Sequence, residues 1–170
     1  ELIAAPHLSP PGSRRRASLR AESSAGRVVI GYREARSQRV VELAECPVLV
    51  PQFVALLTPL RKLLIRLGQA QTDPGGKAKA KRHAKSGHTK LAADIELAMT
   101  EQGVDLYIKG LRAEGLIATQ ALLDFAQEHG LARLSLDQGY GAEPVWEPVP
   151  VTVNLAGVSV GFPSGAFLQA

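Results

Sequence analysis

One cysteine, four histidines, a set of carboxylates and a concentration of arginine are the residues of this 170-residue chain that could do chemistry. Cys46 lies in Ala44-Glu45-Cys46-Pro47-Val48-Leu49. A proline directly after a cysteine is a feature of some iron–sulfur ligand runs, and a lone cysteine among apolar neighbours also serves as a small hydrophobe. Both roles stay open. An intrachain disulfide is excluded, because there is no second sulfur to pair with. His83 and His88 have no cysteine or carboxylate cluster beside them, so they make no metal motif. Gly75-Gly76-Lys77 lacks the earlier glycine and the following Ser or Thr that shape a phosphate loop. Asp94 and Glu96 alternate as two residues on one strand face do, which reads as a solvated face. His129 falls in a last helical turn, where a cation suits the helix dipole, and His7 lies near an extended end. There is no Ser/His/Asp set with workable roles, no His-Glu-x-x-His and no glycine-rich strand-to-helix turn. No catalytic residue is read from these positions.

Arginine carries the stronger signal. Between Arg14 and Arg39 stand eight arginines, Arg14, Arg15, Arg16, Arg20, Arg27, Arg33, Arg36 and Arg39, against Glu22 and Glu34, a local balance of +6. Residues 74–90 add Lys77, Lys79, Lys81, Arg82, Lys85 and Lys90 with no acid. From Leu91 onward three bases face ten acids, so the net charge of +4 conceals a basic half and an acidic half. Such segregation fits a surface that meets a polyanion, because each phosphate neutralised releases counterions. Guanidinium forks also match phosphate geometry better than an ammonium does. The competing reading is a solvated charged face beside a linker.

The elements that must position these residues follow from spacing. Residues 1–13, with Pro6, Pro10, Pro11 and Gly12, read as an extended lead-in. Residues 14–22, 27–32 and 39–43 read as three strands of a meander, with arginines at its start and in its second loop. A helix follows, Pro51 in its first turn and Phe53, Leu57, Leu60, Leu64 and Leu67 on one stripe; Pro59 should kink or restart it. Residues 68–90 carry no hydrophobic periodicity and read as a mobile basic insertion. Residues 91–100 and 104–109 form a second hairpin. A second helix spans about 116–129 with Leu116, Thr119, Leu122, Leu123 and Ala126 inward and Gly130 at its stop. Short strands at 131–136, 145–146, 151–155 and 158–161 close the order. The expected fold is an α+β two-layer domain, a largely antiparallel sheet with two main helices, over residues 14–161. With 45% hydrophobic and 21% charged residues this is one globular domain, large enough to bury roughly 70% of its unfolded surface. Apolar runs fall short of the ~20 residues of a membrane helix. Both ends read as internal to a longer polypeptide, in a soluble, cytoplasmic protein.

The stretch Gly31-Tyr32-Arg33-Glu34-Ala35-Arg36-Ser37-Gln38-Arg39-Val40-Val41-Glu42-Leu43-Ala44-Glu45-Cys46-Pro47-Val48-Leu49, followed by Val50-Pro51 and the helix, resembles the central region of the 5-methyluridine RNA methyltransferases, particularly the bacterial enzymes acting on uracil in 23S ribosomal RNA. Pro163-Ser164-Gly165-Ala166-Phe167-Leu168-Gln169-Ala170 resembles the Phe-x-Gln element at the start of that family's catalytic domain, and Ser9-Pro10-Pro11-Gly12-Ser13-Arg14-Arg15-Arg16 is similar to the stretch before its first hairpin. The matches keep the family's order and span nearly the whole chain.

That resemblance implies the central domain of an S-adenosylmethionine-dependent uracil-5 RNA methyltransferase, with residues 162–170 entering an S-adenosylmethionine-binding domain that lies outside these residues. It implies Cys46 as the fourth thiolate of a 4Fe–4S cluster whose other three cysteines are absent here, so neither cluster nor S-adenosylmethionine is expected on this segment alone. Gln169 matches the glutamine that contacts S-adenosylmethionine. In the family a cysteine thiolate adds to carbon 6 of a flipped uracil, carbon 5 takes the methyl group, and a base removes the carbon 5 proton; neither that cysteine nor that base is among these residues. The segment's share is grip on RNA, most plainly 23S rRNA, by Arg14, Arg15, Arg16, Arg33 and Arg36, with Tyr32 either stacked on a base or in the core. No membrane and no protein partner is implied. A stand-alone RNA-binding adaptor without catalysis is the second reading.

Overall fold

In a computed structural model, residues 10–24, 27–37, 39–70 and 91–166 are described. Nine strands and two helices follow in the order β1 (Arg16–Ser24), β2 (Arg27–Arg33), β3 (Val40–Glu42), α1 (Pro51–Ala70), β4 (Ala92–Met99), β5 (Val104–Lys109), α2 (Leu116–Glu128), β6 (Arg133–Asp137), β7 (Ala142–Trp146), β8 (Thr152–Leu155) and β9 (Val158–Gly161). Seven strands make one sheet in the order β3-β2-β1-β4-β5-β6-β7, while β8 and β9 pair by themselves. Every neighbouring pair is antiparallel except β5 and β6, which are parallel and joined through α2, as a parallel connection requires. The expected α+β class, largely antiparallel with two helices, is what is found.

Alternation sets the faces. Along β1, Ala17, Leu19 and Ala21 are buried, and along β4 so are Ala93, Ile95 and Leu97; these join one core with both helices. The intervening Arg16, Ser18, Arg20, Asp94 and Glu96 point to the other face, as a period of two dictates. Part of that second face is covered. Val151, Val153 and Phe162 pack on Ala98 and Ala132 in a smaller apolar cluster, so the two expected layers gain a partial third.

Helix α1 starts on Pro51, whose missing N–H would be orphaned there anyway, and buries Phe53, Leu56, Leu57, Leu60, Leu63, Leu64 and Leu67. The expected restart at Pro59 does not occur: one helix runs on to Ala70. A proline inside a helix costs about 3 kcal/mol. Burying each of the four leucines beyond it contributes roughly 1.5–3 kcal/mol, which outweighs the break. The helix also claims residues 68–70 from the expected insertion; residues 71–90 lie outside the described residues, as do 1–9.

Helix α2 ends at Gly130 in the left-handed region (φ 56°), the stop read from sequence. Of the expected inward face, Leu122 and Ala126 are buried and Leu123 is half-buried, joined by Ala118, Ala121 and Phe125, whereas Leu116 is 81% exposed and Thr119 faces solvent. Small alanines let the helix lie close to the sheet, and they carry packing that hydropathy assigned to Leu116. No helix among the described residues is long and apolar enough to cross a membrane.

Candidate nucleic-acid interface

The β2–β3 connection is a compact loop. The Glu34 N–H donates to the Arg39 carbonyl (2.9 Å), the Ser37 N–H to the Glu34 carbonyl (3.2 Å), and the Arg39 N–H to Ser37 Oγ (3.0 Å). Arg36 occupies the left-handed region at φ 61°, a conformation non-glycine residues adopt sparingly. Gly31, just before it, is required: a Cβ there would lie 1.8 Å from the Val41 carbonyl oxygen. The loop thus presents Arg33, Arg36 and Arg39 exposed at the sheet edge, and among the described residues none of the three makes an ion pair.

The other arginines separate. Arg14 stands just before β1, bridged to Leu49 in parallel: its N–H donates to the Val48 carbonyl (2.8 Å) and its carbonyl accepts from the Val50 N–H (3.1 Å). Arg15 reaches the Met99 carbonyl at 3.3 Å, at the β4–β5 hairpin. Arg16 lies on the sheet's second face, 3.5 Å from Glu96. Arg20 is held between Glu22 (3.0 Å) and Asp94 (2.9 Å). Only Arg14 belongs with the edge. Its charge acts on the Tyr32 hydroxyl, whose pKa partial burial raises, with Cys46 pushing the same way and Arg14 opposing. Arg33 follows Tyr32 directly in the chain and, by strand alternation, faces the other side of β2.

Cys46 is a free, half-buried thiol against the main core. A 4Fe–4S cluster takes four thiolates, and the chain has one cysteine; among the described residues no three His, Cys, Asp or Glu side chains gather as a metal set. These residues cannot complete such a site. Gln169 lies outside the described residues.

A second constellation is one that spacing along the chain does not announce. On the covered face, Arg133 grips Asp105 through two hydrogen bonds of 2.9 and 2.8 Å and approaches Glu147 at 3.5 Å. Burial opposes the Arg133 charge, but Asp105 and Glu147 overcome it and raise its pKa. Beside it, Lys109 donates to Glu96 (2.6 Å) and Tyr107 to Asp137 (3.2 Å). Ser164 meets Ser135 at 2.9 Å, and Gly165 abuts the Tyr107 ring. The small cleft there is lined by Arg16, Glu96, Asp105, Tyr107, Phe162 and Gly165 among others. Its carboxylates and cations neutralise one another, so it is a locked polar layer rather than an anion site. The sequence signal for it is charge of both signs in two short strands, Asp105 and Lys109 in β5 and Arg133 and Asp137 in β6.

No protein-family model matches the chain. Over 164 residues it is 39% identical to an uncharacterized RNA methyltransferase of Zymomonas mobilis, covering 96% of this chain and 36% of that protein. It is 32% identical over 142 residues to the 23S rRNA (uracil(1939)-C(5))-methyltransferase RlmD of Tolumonas auensis, covering 84% of this chain and 28% of that one. With the protein of the same name from Pectobacterium atrosepticum it shares 31% over 169 residues, 95% of this chain and 32% of that one. The chain spans about a third of the length of these curated relatives.

Proposed function

The chain belongs to the RNA methyltransferase family, as one region of it, and from that premise we propose that it is the RNA-holding domain of an S-adenosylmethionine-dependent uracil-5-methyltransferase acting on 23S rRNA in the cytoplasm. The observation that carries this reading is the exposed β2–β3 arginine loop, whose guanidinium groups have no acidic partner among the described residues. An exposed arginine already neutralised by a carboxylate has little left to offer a phosphate; Arg33 and Arg36 have everything to offer. Held in a loop whose backbone is already fixed by hydrogen bonds, they can set the register of an RNA strand. Arg14 extends the basic edge; Arg15 and Arg16 take a lesser part, because each already has a partner.

The chemistry of methyl transfer belongs to residues other than these, with Gln169 reaching S-adenosylmethionine in the longer protein. Cys46 would supply one thiolate of a cluster whose remaining ligands come from outside this segment, and no step is routed through it. Its check is direct: the longer protein, purified without oxygen, is expected to be brown, and Cys46→Ser to abolish the colour. A colourless parent removes the cluster while leaving the RNA reading intact.

The RNA reading is tested by titrating the chain against a labelled 23S rRNA fragment at several salt concentrations. Arg33→Ala with Arg36→Ala should weaken binding and flatten the slope of log K against log salt by about 1–2, near one unit for each phosphate no longer neutralised. An unchanged slope would refute the loop as a phosphate clamp.

A further inference from the structure

Tyr32 on β2 pairs in register with Val41 on the edge strand β3. An aromatic beside a β-branched residue across two strands usually packs inward; here Tyr32 is 40% and Val41 52% exposed. Single exposed apolar side chains need no explanation, but these two are adjacent and lie where β2 and β3 run into the arginine loop. Arg36 and Arg39 are exposed in the loop joining the two strands, and Arg33, the last residue of β2, leaves that strand on the face opposite Tyr32. A patch of two side chains is far too small for a stable protein interface, which takes on the order of 1,000 Å². It is the size of one base.

We propose that Tyr32, with Val41 beside it, is a platform on which one unpaired RNA base stacks while the arginines of the β2–β3 loop hold the flanking phosphates. The inference rests on the RNA-binding reading above and adds to it the class of RNA: a single-stranded loop or a bulge, since bases inside an A-form duplex expose no face to a side chain. Stacking on an aromatic ring tolerates any base and owes little to charge.

The two claims therefore separate experimentally. A labelled single-stranded RNA of mixed sequence, and the same RNA with one abasic position moved stepwise along it, would be titrated with the chain by fluorescence anisotropy. Tyr32→Ala should weaken binding to the intact RNA about 5- to 100-fold with the salt slope unchanged, and Tyr32→Phe should bind within about twofold of the parent. One abasic position should weaken the parent strongly and leave Tyr32→Ala unaffected, a coupling that survives even if the variant is less stable. Tyr32→Leu, which refills the apolar space without a π face, should behave as Tyr32→Ala does. If Tyr32→Ala binds as the parent does, or Tyr32→Phe falls as far as Tyr32→Ala, or no abasic position couples to the variant, the platform is wrong. Should the arginine variants alone change the salt slope, the phosphate clamp stands without it; should the parent bind no RNA, both readings fall together.

Discussion

Tyr107 shows how far a single hydroxyl can be bound into the fold. The residue is 6% exposed, its hydroxyl donates to Asp137, and Glu96 lies nearby on the same face. Burial, and then the hydrogen bond and charge of Asp137, push its pKa up to about 12 from the ordinary tyrosine value of 10.0. A neutral tyrosine is thus favoured by folding, because a phenolate there would face two carboxylates. The stabilisation is complete below the unfolded value of 10.0 and is lost as pH rises through the folded value of about 12, since stability falls wherever the unfolded state releases its proton first. Denaturant titrations at successive alkaline pH should show the parent losing stability across that window and Tyr107→Phe losing less; equal losses would mean that the hydroxyl is not the titrating group. Asp137 acts in the opposite sense. The Gly139 and Gly141 N–H groups lower its pKa from 3.8, so its share is present above that value and fades as pH falls through the lower folded one.

At the scale of elements, what can be read from the sequence depends on whether one cause dominates locally. The meander, the second hairpin and the stop at Gly130 are legible, because alternation, turn residues and a left-handed glycine each act over a few neighbours. Two departures share a cause. Pro59 predicts a kink or a restart, and the four buried leucines beyond it carry one helix past the proline; Leu116 predicts an inward face that Ala118, Ala121 and Phe125 take instead. In both cases tertiary packing outweighs a strong local signal. The arginine loop lies where the sequence puts it, yet adjacency alone groups Arg16 with Arg14. Arg14 lies ahead of β1, in a bridge to Leu49, while Arg16 begins β1, whose pairing with β4 brings it to Glu96. The Asp105–Arg133 pair is illegible for the same reason: 28 residues separate the partners, and the parallel pairing of β5 with β6 that joins them is a property of the sheet.

Over the whole molecule, charge and topology combine into a directional claim. The sheet order puts the arginine-rich meander at one edge and β6–β7 at the other, and ten of the sixteen acids follow Leu91. An RNA strand therefore meets attraction at the β2–β3 edge and repulsion toward Asp137, Glu143 and Glu147, a difference that salt screens over about 10 Å at 0.1 M. Hydrogen–deuterium exchange of the chain with and without single-stranded RNA reads this out by position. Amides in 12–14, 32–37 and 46–50 should slow on binding, because the loop and the strand bridged to Arg14 lie beneath the ligand, and those in 138–147 should not change. Protection centred on 138–147, or spread evenly over both edges, would mean that the separation of charge along the chain does not orient RNA on its surface, and that Arg33 and Arg36 are exposed for solubility alone.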